Sequence, residues 1–283
     1  MGATDTKKIE REYAAATPFF EKYPDFDISV LPSWVRENID KARVYGSNDK
    51  CIILPDGRKY HLDNKLNDLT GKEWTFFIRS VFSTHYPTSG KEGYAYHIRK
   101  VHPTPKPPQL MRDIILFFTK ENELVFDSFM GVGGSLLGAA LCNRKAAGID
   151  LNPQYIEAYK AAAKELNLCI FPTLCGDSLE LLADPRKIKQ LTGDSPISLL
   201  LIDPPYSDMM SKKKTGADIS IYGKNSTPFS SAIPCCRLDN FLPSISNICF
   251  VASSYKTTSG RYRLTPFWSF FGRAINFPVF VRK

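Results

Sequence analysis

The chain has 283 residues, 43% hydrophobic and 23% charged, enough for one large α/β domain with appendages or for two small domains. No run of about 18 apolar residues occurs, which argues against a membrane-spanning helix, and the polar start MGATDTKKIEREY lacks the apolar stretch of a secretory leader. The net charge of +8 is uneven: residues 209–283 hold 11 Lys+Arg against only Asp218 and Asp239, as suits either a segment facing a polyanion or a solvated basic face.

Residues 1–101 read as an accessory region. The pattern predicts a short helix from Lys7 to Glu21 and a second starting near Pro32, with Ser33 as its cap. Residues 51–62 predict a β-hairpin, because Asp56-Gly57 supplies the turn between two apolar-rich runs. His61, in that hairpin, is expected to be structural or exposed. Between residues 74 and 101, Trp74, Phe76, Phe77, Tyr94 and Tyr96 are interleaved with Arg79, Arg99 and Lys100. Such a run suits stacking on nucleic-acid bases and equally suits an amphipathic cover over a sheet.

The stretch His102-Pro103-Thr104-Pro105-Lys106-Pro107-Pro108 is too proline-rich for helix or central strand, and leads into an apolar helix over residues 109–119. From there strands and helices alternate. Leu124–Asp127 is a strand, residues 128–135 a Gly-rich turn, 136–143 a helix, 146–150 a strand, 154–166 a helix, and residues 174–177 a third strand. Leu199-Leu200-Leu201-Ile202-Asp203 is a fourth, stopped by Pro204-Pro205, neither of which has an N–H to continue a ladder. This rhythm predicts an α/β fold with a doubly wound, mostly parallel sheet. Asp127, Asp150, Asp177 and Asp203 each close a strand, so the sheet should gather four carboxylates on its carboxyl edge, where ligands bind in open α/β folds.

The turn Gly131-x-Gly133-Gly134 lacks the G-x-G-x-x-G spacing of dinucleotide sites, and Asp127 at its mouth is ill suited to a pyrophosphate. A nucleoside cofactor bearing an amine and a sulfonium fits better, and S-adenosyl-L-methionine is such a molecule. The glycines admit its methionine moiety, Asp150 is placed for the ribose hydroxyls and Asp177 for the adenine amino group. Seven cysteines with no C-x-x-C pair, and four histidines, argue against a disulfide framework and a zinc site, so no metal is expected and a cytoplasmic setting is.

Four motifs together resemble the amino-methyltransferases that modify exocyclic nitrogens of DNA bases. The D-x-F-x-G-x-G loop appears as Asp127-Ser128-Phe129-Met130-Gly131-Val132-Gly133, and H-P-T-x-K-P as residues 102–107. G-I-[DE]-x-N-P-x-Y appears as residues 148–155, and D-P-P-Y as Asp203-Pro204-Pro205-Tyr206. The resemblance implies a Rossmann-like methyltransferase fold and a catalytic core over residues 102–229. It also implies cofactor contacts from Thr104, Lys106, Asp127, Phe129, Gly131, Gly133, Asp150, Leu151 and Asp177. Asp203 and the Pro204 carbonyl would accept hydrogen bonds from the target amine, Pro205 would stiffen the loop, and Tyr206 would stack on a flipped-out base. DNA is the implied partner, with a restriction endonuclease or specificity subunit beside it and no membrane. Adenine N6 is the leading target. Cytosine N4, an RNA base, and an inactive DNA-binding subunit stay open. Pro234-Cys235 resembles the nucleophile of cytosine-C5 enzymes, but it follows Asp-Pro-Pro-Tyr instead of replacing it.

The tail breaks the family pattern. Residues 230–283 are basic and aromatic, with strand-like runs only at 245–252 and 274–281, the second broken by Pro278. They predict a sheet left incomplete at its C-terminal strands, with the family-like sequence ending near Phe229 and a divergent or frame-shifted segment after it.

Overall fold

A computed structural model of the chain describes residues 3–79, 85–203, 247–250, 254–256 and 262–264. Two units divide it, Met1–Phe82 with Leu116–Glu121, and Ser83–Ile115 with Asn122–Lys283. The proline-rich run, residues 102–108, lies inside the second unit.

The first unit begins with α1 (Ala3–Ala14), β1 (Thr17–Pro18) and α2 (Phe19–Lys22). The single helix predicted over 7–21 is broken at Pro18, which has no N–H and pushes Thr17 into extended backbone. Thr17 and Pro18 pair instead with Val44 and Arg43. In α3 (Ser33–Arg36) the cap is Pro32, not Ser33, whose hydroxyl donates to Glu121 Oε1 at 2.6 Å. Strands β2 (Arg43–Tyr45), β3 (Cys51–Ile53) and β4 (Lys59–His61) complete an antiparallel sheet in the order β1-β2-β3-β4. Its hairpin turns at Gly57, φ +81°, whose N–H donates to Leu54 O at 2.9 Å. Phe19, Val35, Val44, Ile52, Leu54 and Tyr60 bury the apolar face, each worth about 1.5–3 kcal/mol. His61 is exposed. Helix α4 (Gly71–Phe77) starts on a Thr70/Glu73 capping box, and its Trp74 and Phe77 rings sit 5.3 and 5.7 Å from Phe117. Those two aromatics are packing residues.

The second unit contains α5 (Tyr96–Arg99), α6 (Pro108–Phe118, through residue 115), β5 (Leu124–Asp127), α7 (Gly134–Ala140) and β6 (Lys145–Asp150). Then follow α8 (Pro153–Glu165), β7 (Thr173–Cys175), α9 (Ser178–Leu182), α10 (Pro185–Thr192) and β8 (Ile197–Ile202). A further strand, β9 (Asn247–Phe250), runs parallel to β8 with Leu199 opposite Asn247 and Ile202 opposite Phe250. The five-stranded sheet has the order β7-β6-β5-β8-β9, and every pairing is parallel, the doubly wound arrangement that the alternating pattern predicts. The sheet therefore does not stop at β8: the run at 245–252 supplies a fifth strand, while residues 274–281 lie outside the described residues. Strands β10 (Ser254–Lys256) and β11 (Tyr262–Leu264) form a separate antiparallel ribbon.

Every residue of β5 and β8 is buried, as continuous aliphatic runs require in a sheet covered on both faces. On one face Leu124, Phe126, Ile149, Leu200 and Ile202 pack with Ile188 and Leu191 of α10. On the other the chain comes so close that a Cβ on Gly148 would lie 2.8 Å from Met130 Sδ and 3.1 Å from Leu136 Cδ1. The chain order reverses between β5 and β8, and the crevice outside their carboxyl ends is where such folds hold ligands.

Candidate functional site at the carboxyl edge of the sheet

Asp127 ends β5 and organises the Gly-rich turn. One carboxylate oxygen accepts from Phe129 N at 2.9 Å and the other from the Ser135 hydroxyl. The side chain is only 7% exposed, and burial, helped by the charges of Asp203 and Asp150, drives its pKa up to about 7 against the pull of those two hydrogen bonds. Asp150, at the end of β6, binds the same turn from the other side: its oxygens accept from Gly131 N at 2.7 Å and Asn152 N at 2.9 Å. Gly131 and Gly133 hold φ values of +53° and +73°. At Gly133 a Cβ would stand 2.2 Å from the buried Tyr159 ring, so neither the backbone nor the space admits another residue.

The H-P-T-x-K-P element is laid against this turn. His102 Nδ1 accepts from Thr104 N at 3.1 Å, which requires that nitrogen to be unprotonated, and the ring lies 4.8 Å from Tyr155. Burial and then the Lys106 charge lower its pKa to about 4. The Lys106 carbonyl comes within 2.8 Å of where a Gly134 Cβ would stand. Lys106 Nζ crosses to Asp203 Oδ2 at 2.5 Å, with both side chains about one-fifth exposed (21%). Asp203, the residue after β8, is thus paired with Lys106, so that a lysine expected at the cofactor engages the acid of Asp-Pro-Pro-Tyr.

Lys106, Asp127, Gly131, Gly133, Asp150 and Asp203 form one constellation at the reversal point of the sheet. Phe129 is partly buried against the sheet core, Leu151 is 43% exposed next to Asp150, and Thr104 is exposed with its N–H on His102. Asp177 does not close a strand: β7 stops at Cys175, and Asp177 caps α9 by accepting from Leu179 N at 2.8 Å. The turn at Gly176, whose N–H goes to Asp150 O at 3.0 Å, ends the ladder before it. Pro204, Pro205, Tyr206 and Cys235 lie outside the described residues. Sequence reasoning missed Ser135 and Ser178, whose hydroxyl donates to Ser128 O at 2.5 Å, because isolated serines carry no spacing signal. Arg99, read there only as one cation of the 74–101 run, is buried.

The donor set tests the implied cofactor. An edge with small residues at positive φ, two turn-binding carboxylates and an exposed Leu151 suits an amine, ribose hydroxyls and an adenine ring, and is wrong for a pyrophosphate. Among the described residues no group of three or more His, Cys, Asp and Glu is placed to hold a metal, and no helix is long and apolar enough to cross a membrane.

A family profile described as DNA methylase matches residues 32–162. The chain is 34% identical over 134 residues to the type II methyltransferase M2.LlaDCHI of Lactococcus lactis subsp. cremoris, covering 47% of this chain and 40% of that one. It is 30% identical over 138 residues to the type II methyltransferase M1.MboII of Moraxella bovis, covering 46% and 50%. It is also 30% identical over 158 residues to a tRNA (guanine(10)-N2)-dimethyltransferase of Pyrococcus abyssi, covering 56% and 41%. The chain thus spans half or less of the length of these relatives. Over residues 32–162 the chain thus resembles the DNA amino-methyltransferases, enzymes that use S-adenosyl-L-methionine.

Proposed function

We propose that this chain transfers a methyl group from S-adenosyl-L-methionine to the exocyclic amino group of a DNA base, with adenine N6 as the first target. The observation that carries this reading is the placement of Asp203 at the reversal point, paired with Lys106 and beside the Gly131–Gly133 turn. The cofactor supplies an electrophilic methyl on a sulfonium. The chain's own residues bind, orient and exclude water. Asp150 and the Gly-rich turn hold the nucleoside and amino-acid ends, and Leu151 covers the adenine. A carboxylate accepts up to about four hydrogen bonds, so Lys106 uses only part of the capacity of Asp203. With the Pro204 carbonyl it accepts from the target amine and aims the nitrogen lone pair at the methyl. Such orientation is worth several orders of magnitude in rate without a covalent nucleophile. The base must leave the duplex to reach this edge, and Tyr206 is the residue assigned to stack on it. DNA and a companion restriction endonuclease or specificity subunit are the proposed partners, in the cytoplasm.

The test is methyl transfer from labelled cofactor to genomic DNA, followed by digestion to nucleosides, with Asp203→Ala as control. N6-methyladenine from the intact chain and none from the variant is expected. N4-methylcytosine would move the target base and keep the mechanism. A second reading, an RNA base as substrate, is favoured by the tRNA-modifying relative, which matches 56% of this chain. Structured RNA therefore runs as a parallel substrate, and label on RNA alone would replace DNA in the proposal.

A further inference from the structure

Arg99 is 1% exposed, and its guanidinium points at main-chain carbonyls. Nε donates to Tyr94 O at 3.0 Å, one terminal nitrogen to Lys106 O at 2.8 Å and the other to Gly93 O at 3.4 Å. The fork therefore joins the two ends of the segment 93–106. Tyr94 and Ala95 both lie in the left-handed region, φ +45° and +53°, a conformation that side chains disfavour and that persists only where surroundings enforce it. Gly93 is pressed on Thr88, whose carbonyl carbon would be 3.0 Å from a Cβ, and Gln109 Nε2 donates to Glu92 O at 2.5 Å, closing the same loop from outside. Burial lowers the Arg99 pKa to about 10, so the group keeps its charge at neutral pH. Burying a charge is costly, and the three carbonyl hydrogen bonds of the fork offset part of that cost. The fork does something else: it fixes the carbonyl of the residue whose ammonium holds Asp203.

We propose that Arg99 is a positioning residue of the transfer site, clamping the Lys106 main chain so that Lys106 Nζ orients the Asp203 carboxylate. This rests on the assignment of Asp203 to the target amine, yet the clamp itself is testable without turnover. Variants R99K and R99Q are compared with the intact chain, each first shown to melt cooperatively. Lys106 acetylation by an amine-selective reagent is quantified by mass spectrometry against exposed Lys164. A charge-assisted hydrogen bond shifts a population about tenfold, so Lys106 labelling should rise about tenfold in R99Q and less in R99K, with Lys164 unchanged. A misplacement of about 1 Å costs up to about 100-fold in rate, so kcat should fall by that order in R99Q while the KM for S-adenosylmethionine stays within about threefold. Combined with K106M, R99Q should add no further loss, because both changes act on one contact. Unchanged labelling in a folded variant, additive losses in the double variant, or failure of both variants to fold would each overturn the proposal. If the intact chain methylates no nucleic acid, the functional reading fails, and the labelling still decides whether Arg99 holds Lys106.

Discussion

Replacing Asp127 by Asn should remove a pH-dependent destabilisation built into the Gly-rich turn. The carboxyl has an ordinary value of 3.8 and is driven to about 7 in the folded chain, burial being the largest cause. The folded value lies above the unfolded one, so below about pH 4 both states are protonated and the group costs nothing. As pH rises from 3.8 towards 7 the unfolded chain ionises while the folded chain holds its proton, and stability is lost throughout that window. Above it both states are ionised and the loss is complete, at about 4 kcal/mol from ~1.4 kcal/mol per pH unit. An amide at 127 can still accept from Phe129 N and donate to Ser135 Oγ, so the turn survives. The measurement is urea denaturation of both chains from pH 5 to pH 8.5. The variant should gain about 2–3 kcal/mol over the intact chain between pH 5 and 7, then run parallel to it. Stability curves parallel over the whole range would refute the buried, proton-holding carboxyl.

Gly133→Ala should cost about 3 kcal/mol or more, from its left-handed backbone and the Tyr159 ring 2.2 Å from the new methyl. Gly193→Ala, at φ +64° and ψ −140° but with open space around it, should cost about 1–3 kcal/mol from backbone strain alone in the same denaturation assay. Lys106→Met should slow methyl transfer by about 100-fold with the fold intact, since it frees Asp203 from its 2.5 Å partner. Equal rates would remove Lys106 from the site. The His102 ring, with a pKa near 4, should show a proton NMR signal that does not move between pH 5.5 and 8. A midpoint inside that range would contradict the burial and the unprotonated Nδ1.

Periodicity and chain stops were enough to place β5, β6 and β8 within two residues, because buried parallel strands are continuous aliphatic runs and Asp-Pro-Pro must end one. The helix over 7–21 failed at Pro18, a local signal that the amphipathic pattern around it masked. Asp177 was misplaced because an acid after Leu-Cys-Gly reads equally as a strand end or a helix cap, and only the hydrogen bond to Leu179 separates the two. The turn and the acids of β5 and β6 were legible because each position needs a particular residue type: glycine at positive φ, acid at a strand end.

Sequence alone thus determined the order of elements, the parallel sheet and the carboxylates at its edge, because these follow from local stereochemistry and the period of apolar residues. Tertiary structure decided what those groups do to one another. The Asp127 proton, the Lys106–Asp203 pair and the Arg99 clamp join residues from separate elements, and their burial sets both the pKa and the partner. No pattern along the chain encodes such contacts, since they arise where the reversal between β5 and β8 brings distant strand ends and the proline-rich segment to one crevice.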